Sequence, residues 1–308
     1  TRSFTIRTRI TLLSAEPVAT VPYGSPIIVI LYYQDLFTGG IIANESAAGY
    51  PVSLQIIGGD GSDWIYTAEW QPVFEYYILT IETYNQAYIT SIPYTLTLRA
   101  SYLYQSPYYA ADDLLIQFTL RTRVSSLSLT TEPETTPYGD NVQFTVYFGD
   151  VDAAGAAISG ATITIWNSTS YLIPTVHYTV TAGAAGYYNI IIYSQYLGDI
   201  GSHTVQVRAS KSGVPYHNDA TRNVNILTRS RETQVEITIP PPQTMYLDDV
   251  VFTIVFRDTD SGTDIATINP ANIQVYFFDW SPVSGVTIVK NGVSFDVTVN
   301  SIDLSPVP

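Results

Sequence analysis

The chain has 308 residues, 46% apolar and 13% charged, enough for two or three cores of about 100 residues each. Its net charge of −14, from 13 Lys and Arg against 27 Asp and Glu, opposes a polyanionic partner and argues against nucleic-acid binding. With no cysteine it has neither a thiolate metal site nor a Cys nucleophile, and no apolar run approaches the roughly 20 residues of a spanning helix.

Taken in chain order, residues 1–6 resemble the stretches 113–120 and 221–227 and read as the last strand of a preceding domain. Arg7-Thr8-Arg9 follows, the first of three basic triplets; the others are Arg121-Thr122-Arg123 and Arg229-Ser230-Arg231, with spacings of 121 − 7 = 114 and 229 − 121 = 108. Behind each triplet the same marks recur. Pro22-Tyr23-Gly24 matches Pro137-Tyr138-Gly139, and the tyrosine returns as Tyr246 before Leu247-Asp248. The strand Val29–Tyr33 matches Phe144–Phe148 and Phe252–Phe256, and two positions after each stands an aspartate: Asp35, Asp150 and Asp258. Further on, Leu98-Arg99-Ala100-Ser101 corresponds to Val207-Arg208-Ala209-Ser210. A register kept over such distances is an internal repeat.

Within each repeat, apolar residues alternate at period two, as in Ala161–Trp166, and turn clusters such as Gly39-Gly40 and Gly183-Ala184-Ala185-Gly186 interrupt them. The expected fold is therefore all-β: tandem immunoglobulin-like Greek-key β-sandwich domains. The first spans 7–120, the second 121–228, and the third, 229–308, is incomplete. Gly292 to Pro308 aligns with the stretch beginning at Gly186, and no counterpart of Val205–Ala209 follows. Either the polypeptide continues, or a neighbouring copy completes the sandwich by strand addition.

Pro-Tyr-Gly before a β-branched or aromatic strand, Ser159-Gly160-Ala161-Thr162-Ile163, and Ala185-Gly186-Tyr187-Tyr188 together resemble the immunoglobulin-like repeats of archaeal and bacterial cell-surface proteins, including S-layer proteins and adhesins. The resemblance covers the whole chain. It implies an extracellular, cell-surface location and a role in spacing, scaffolding or adhesion, between which the fold does not choose.

The candidate sites are few. Arg7, Arg9, Arg121, Arg123, Arg229 and Arg231 sit at the domain junctions, each pair on one face of an extended strand. They either lock adjacent domains by pairing with carboxylates such as Glu16, Glu132, Asp112 or Asp113, or they are charges guarding a solvated strand edge. Asp150, Asp152, Asp258, Asp260 and Asp264 have oxygen-donor spacing that a structural Ca²⁺ could use, although Asp-Gly turns also arise for conformational reasons. Trp64, Trp70, Tyr76 and Tyr77, interspersed with Asp60, Asp63, Glu69 and Glu75, could contact a glycan or simply pack a core. Asn44 and Asn167 are glycosylation acceptors by motif. His177, His203 and His217 lack ligand spacing, Gly58–Ser62 lacks the helix a phosphate loop needs, and no nucleophile elbow occurs, so no enzyme or cofactor is expected. The leading functional expectation is a structural component of a surface array or filament; the alternative is an adhesion module.

Overall fold

The computed structural model of the protein describes residues 5–43, 52–60, 63–86, 92–103, 108–167, 170–245, 247–300, 302 and 304. Among them the regular structure is β-strand, interrupted only by single 3₁₀ turns such as Val151–Ala153. No helix among these residues is long and apolar enough to cross a membrane.

The strands follow from alternation. In Ile27–Asp35, Ile27, Val29, Leu31 and Tyr33 are essentially inaccessible while Ile28 is 61% exposed, because successive side chains leave a pleated strand on opposite faces. The first unit comprises β1 (Thr11–Ala15), β2 (Ile27–Asp35), β3 (Val52–Gly59), β4 (Tyr66–Gln71), β5 (Tyr76–Ile81), β6 (Tyr94–Tyr102) and β7 (Asp112–Phe118). One antiparallel sheet runs β1-β2-β5-β4 and the other β3-β6-β7. The second unit repeats the plan with β8 (Ser125–Thr131), β9 (Asn141–Asp150), β10 (Thr162–Asn167), β11 (Tyr178–Ala182), β12 (Tyr187–Tyr193), β13 (Gly201–Ser210) and β14 (Ala220–Arg229). Its sheets run β8-β9-β12-β11 and β14-β13-β10, with Thr136–Pro137 added beside β14 and Ser170–Tyr171 beside β10. Strands one, two, five and four facing strands three, six and seven is the immunoglobulin order. Between the sheets lie Val142, Phe144, Phe148, Ile165, Ile190 and Val207 in the second unit, and Leu31, Tyr33, Leu79, Leu96, Leu98 and Phe118 in the first.

The third unit has β15 (Thr233–Ile239), β16 (Asp249–Asp258), β17 (Val286–Asn291) and β18 (Ser294–Asn300), ordered β15-β16-β18-β17. This is the first of the two expected sheets; among the described residues the second does not form. Ile268, Ile273, Val275 and Val283 cover part of its inner face. Val235 nevertheless remains 52% exposed, where Leu13 and Leu127 at the same position of the other units are 2% and 7%.

One short contact places the junctions. Val21–Pro22 pairs in parallel with Leu120–Arg121, and Thr136–Pro137 with Thr228–Arg229. In the second and third triplets the first arginine thus ends the sheet of one unit, and the second, two residues on, already faces the next.

Candidate functional site at the unit junctions

Strand parity puts a charge inside. Asp35, Asp150 and Asp258 end β2, β9 and β16 on the inward-facing side, and they are 2%, 6% and 7% exposed. A carboxylate so placed has to find N–H donors and a cation. One oxygen caps the turn that follows: Asp35 Oδ1 accepts from Phe37 N at 2.9 Å, Asp150 Oδ1 from Ala153 N at 3.1 Å, and Asp258 Oδ1 from Asp260 N at 3.0 Å. The other oxygen takes the second arginine of the triplet: Arg9 on Asp35, Arg123 Nε on Asp150 at 2.5 Å, Arg231 on Asp258.

The first arginine meets the second aspartate. Arg121 forks onto Asp152 at 2.6 and 2.8 Å, and Arg229 onto Asp260 at 2.5 and 3.0 Å, the bidentate geometry that suits a guanidinium. Asp152 also accepts from Val124 N and Asp260 from Glu232 N. The hydrogen bond from Arg121 holds the Asp152 carboxyl down at about 2, against the burial that would raise it. Asp260 and Asp258 are lowered for the same reason by Arg229 and Arg231. At Asp150 burial is the largest influence and acts upward, yet Arg123 and His217 together leave the group below its ordinary value.

Repeat one shows what the second aspartate does. Its place is taken by Phe37, Arg7 makes no ion pair among the described residues, and the Arg9 guanidinium lies 5.5 Å from the Phe37 ring centre.

The second arginine also reaches backward. Arg123 Nη1 donates to the Tyr23 carbonyl at 2.9 Å and lies 3.3 Å from Ser25 Oγ; Arg231 Nη1 donates to the Tyr138 carbonyl at 3.2 Å and to Asp140 at 2.7 Å. These acceptors belong to the Pro-Tyr-Gly turn of the preceding unit, so one guanidinium joins two units. Gly24 and Gly139 sit at φ +79° and +92°, a conformation in which a Cβ is strained, with the arginine Nη1 3.9 Å from where that Cβ would be. Their N–H groups donate to Thr83 Oγ1 and Ser194 Oγ, which pin the turn from the far side. Tyr23 is buried, its hydroxyl 2.6 Å from the Gln86 carbonyl.

A fourth element had no counterpart in the sequence reading. In the loop between β13 and β14, the Tyr216 carbonyl accepts from Arg123 N at 2.8 Å, and the Tyr216 ring meets Tyr23 edge-on at 5.1 Å. His217 Nε2 lies 3.2 Å from Asp150, while its Nδ1 is buried without a hydrogen-bond partner among the described residues. The signal existed in Pro107-Tyr108-Tyr109 against Pro215-Tyr216-His217, since Arg9 N likewise donates to the Tyr108 carbonyl.

Several expectations are corrected by this geometry. The arginines do not pair with Glu16, Glu132, Asp112 or Asp113: Asp113 pairs with Arg99, Asp112 accepts from Leu13 N, and Glu16 accepts from the Tyr32 hydroxyl. The oxygens of Asp150, Asp152, Asp258 and Asp260 are engaged by guanidinium and backbone N–H groups, and Asp264 pairs with Arg257. Among the described residues no group of three or more His, Cys, Asp or Glu is arranged to hold a metal.

The aromatic set is not one surface. Tyr77 is buried with its hydroxyl on the Ile42 carbonyl, Trp70 leans on it, and Trp64 packs edge-on against Tyr94 and Phe118; Tyr76 stacks instead with the exposed Phe74. Burial of the hydroxyl pushes the Tyr77 pKa up. Asn167 donates its side-chain amide to the Leu197 carbonyl, whereas Asn44 and Tyr246 lie outside the described residues.

No protein-family model matches the chain, and no curated protein matches it. Similar solved structures include the I9–I11 tandem of titin, 7% identical, covering 94% of this chain and 90% of that one with a TM-score of 0.32. The titin domains Z1Z2 in complex with telethonin are 13% identical, covering 74% and 100% at a TM-score of 0.38. The Escherichia coli adhesin FdeC is 14% identical, covering 94% and 87% at 0.27.

Proposed function

We propose that the chain is a structural segment of an extracellular, cell-surface array or filament, in which immunoglobulin-like units are held in fixed relation by arginine bridges. The domain boundaries proposed with it fall at the triplets, 7–120, 121–228 and 229–308. The observation that carries the reading is the recurrence of one bridge. Arg123 and Arg231 each bind the aspartate of their own unit and the Tyr-Gly turn of the unit before.

A single exposed ion pair adds little rigidity. Here the guanidinium is seated on several acceptors, Arg123 is only 9% exposed, and a parallel strand pair lies directly beside the bridge. Such a joint has no Gly/Ser tether to swivel on, so stability and stiffness accumulate from neighbour to neighbour. The acidic surface, net −14, suits a solvated outer layer. An adhesive role has less support, because Trp64 and Tyr77 are spent on the first core.

Small-angle scattering on the chain and on an Arg121→Ser/Arg123→Ser variant tests this. The parent is expected to fit one extended shape, and the variant a wider ensemble of smaller mean dimension. Equal flexibility in both would refute the reading.

A further inference from the structure

We propose that the outward face of the β14-β13-β10 sheet in the second unit is a binding site for a neutral oligosaccharide, held along one row of side chains, Tyr171, Trp166, Gln206 and Asn223. Binding there needs neither junction. It would tie the segment to a polysaccharide running alongside it.

Register builds the row. Tyr171 pairs with Trp166, Trp166 with Gln206, and Gln206 with Asn223, each across one antiparallel step, so the four lie in a line perpendicular to the strands. They share the outer face, because their sequence neighbours Ile165, Val207 and Val224 point into the core. With strands about 4.8 Å apart the row runs about 14 Å, longer than a single sugar ring. It lines a groove of about 670 Å³ that Thr204 and Ser170 complete, a size suited to a small ligand.

The chemistry of the row selects the ligand. At one end Trp166 is half-buried and Tyr171 44% exposed, their rings 5.5 Å apart and inclined at 61°. The electron-rich faces of such rings attract the C–H face of a sugar, whose hydrogens carry partial positive charge. At the other end Gln206 and Asn223 are exposed, and neither side chain makes a hydrogen bond among the described residues. Each amide offers donors and an acceptor together, which matches neighbouring sugar hydroxyls that are donor and acceptor at once. None of the described residues lining the groove is charged, in a chain of net −14. A cation would find no counter-charge there and an anion would be repelled by the rest of the surface, so the ligand is uncharged.

The row belongs to the second unit and not to the fold. At the corresponding positions of the first unit Gly58 pairs with Thr97 and Thr97 with Leu115, which is 66% exposed. That face has the same strand order but neither an aromatic plate nor an amide. On the second unit the adjacent row is engaged with itself, Thr204 Oγ1 donating to Asn225 Oδ1 at 2.9 Å, which leaves Gln206 and Asn223 as the outward-reaching pair.

The test is a glycan array probed with the labelled 308-residue chain, carrying neutral gluco-, galacto-, manno- and N-acetylglucosamine oligosaccharides, their single sugars, and uronate- or sialate-bearing counterparts. The parent is expected to bind neutral oligosaccharides. Gln206→Ala/Asn223→Ala, which removes two hydrogen-bonding side chains at exposed positions, should weaken binding about tenfold or more. Tyr171→Ala should weaken it as well, while Leu115→Ala on the first unit and Arg121→Ser/Arg123→Ser at the joint leave it unchanged; melting transitions confirm that each variant is folded. Binding to no neutral oligosaccharide, preference for acidic glycans, equal binding of single sugars, or undiminished binding by both Gln206→Ala/Asn223→Ala and Tyr171→Ala overturns the proposal. Scattering reads the stiffness of the joint separately, so either reading can fail without the other.

Discussion

Replacing Arg123 with alanine strands a carboxylate. Asp150 is 8% exposed in its side chain and would lose its only arginine among the described residues, keeping Ala153 N at 3.1 Å and His217 Nε2 at 3.2 Å. Removing one partner of a buried pair costs about 3–5 kcal/mol, and the surviving donors point to the lower end, about 3 kcal/mol. With a urea dependence of about 1–3 kcal/mol per molar, the second unit's midpoint should fall by about 1–3 M. Trp166 is the one tryptophan between the second and third triplets, so its fluorescence follows that unit. Arg99→Ala is the control, since Arg99 and Asp113 form an exposed cross-strand pair, 46% and 42% accessible, of the kind that adds little. If Arg123→Ala shifts its unit no more than Arg99→Ala shifts the first, the bridge is surface decoration and the reasoning is refuted.

Acid should undo the same joints. Asp152 is held at about 2, below its ordinary 3.8, so its contribution is present above pH 4 and lost as pH falls toward 2. Scattering should show constant stiffness from pH 7 to 4.5 and loosening below; loosening already near neutrality would contradict the assignment. Leu247→Gly should stabilise the third unit by about 1 kcal/mol and Gly139→Ala destabilise the second by a similar amount, as left-handed positions favour glycine. Calorimetry reads both, and like signs would refute the turn equivalence. Millimolar calcium should leave every melting transition in place, because the Asp-x-Asp oxygens are already bonded; a rise of several degrees would mean the arginines give way to the ion.

The sandwiches were legible because their determinants are local. Val142, Phe144, Val146 and Phe148 alternate inward on a strand whose neighbours repeat the pattern, and period two alone places them. The same parity carried Asp150 inward and Tyr77 into line with Leu79 and Ile81. The pairing of Arg-x-Arg with Asp-x-Asp was half visible. Arg121 to Asp152 and Arg229 to Asp260 both span 31 residues, and Arg123 to Asp150 and Arg231 to Asp258 both span 27. That constancy marks a contact between repeat positions.

What sequence proximity could not show is the reach across the fold. Arg123 meets the Tyr23 carbonyl 100 residues away, and Tyr216 arrives from the far end of the second unit, contacts set by Greek-key return and not by spacing. The third unit was harder still, since the inward residues of β15 carry the apolar pattern of β8 while the described residues form no second sheet to cover them.

The central claim is that one arginine fixes two units, and a distance distribution across the first joint tests it most directly. The cysteine-free chain accepts spin labels at Thr67 and Ser126, both exposed and on opposite sides of the triplet. Dipolar spectroscopy should give a single narrow distance in the parent and a broad one in Arg123→Ala with both units still folded. An equally broad distribution in the parent would contradict the account.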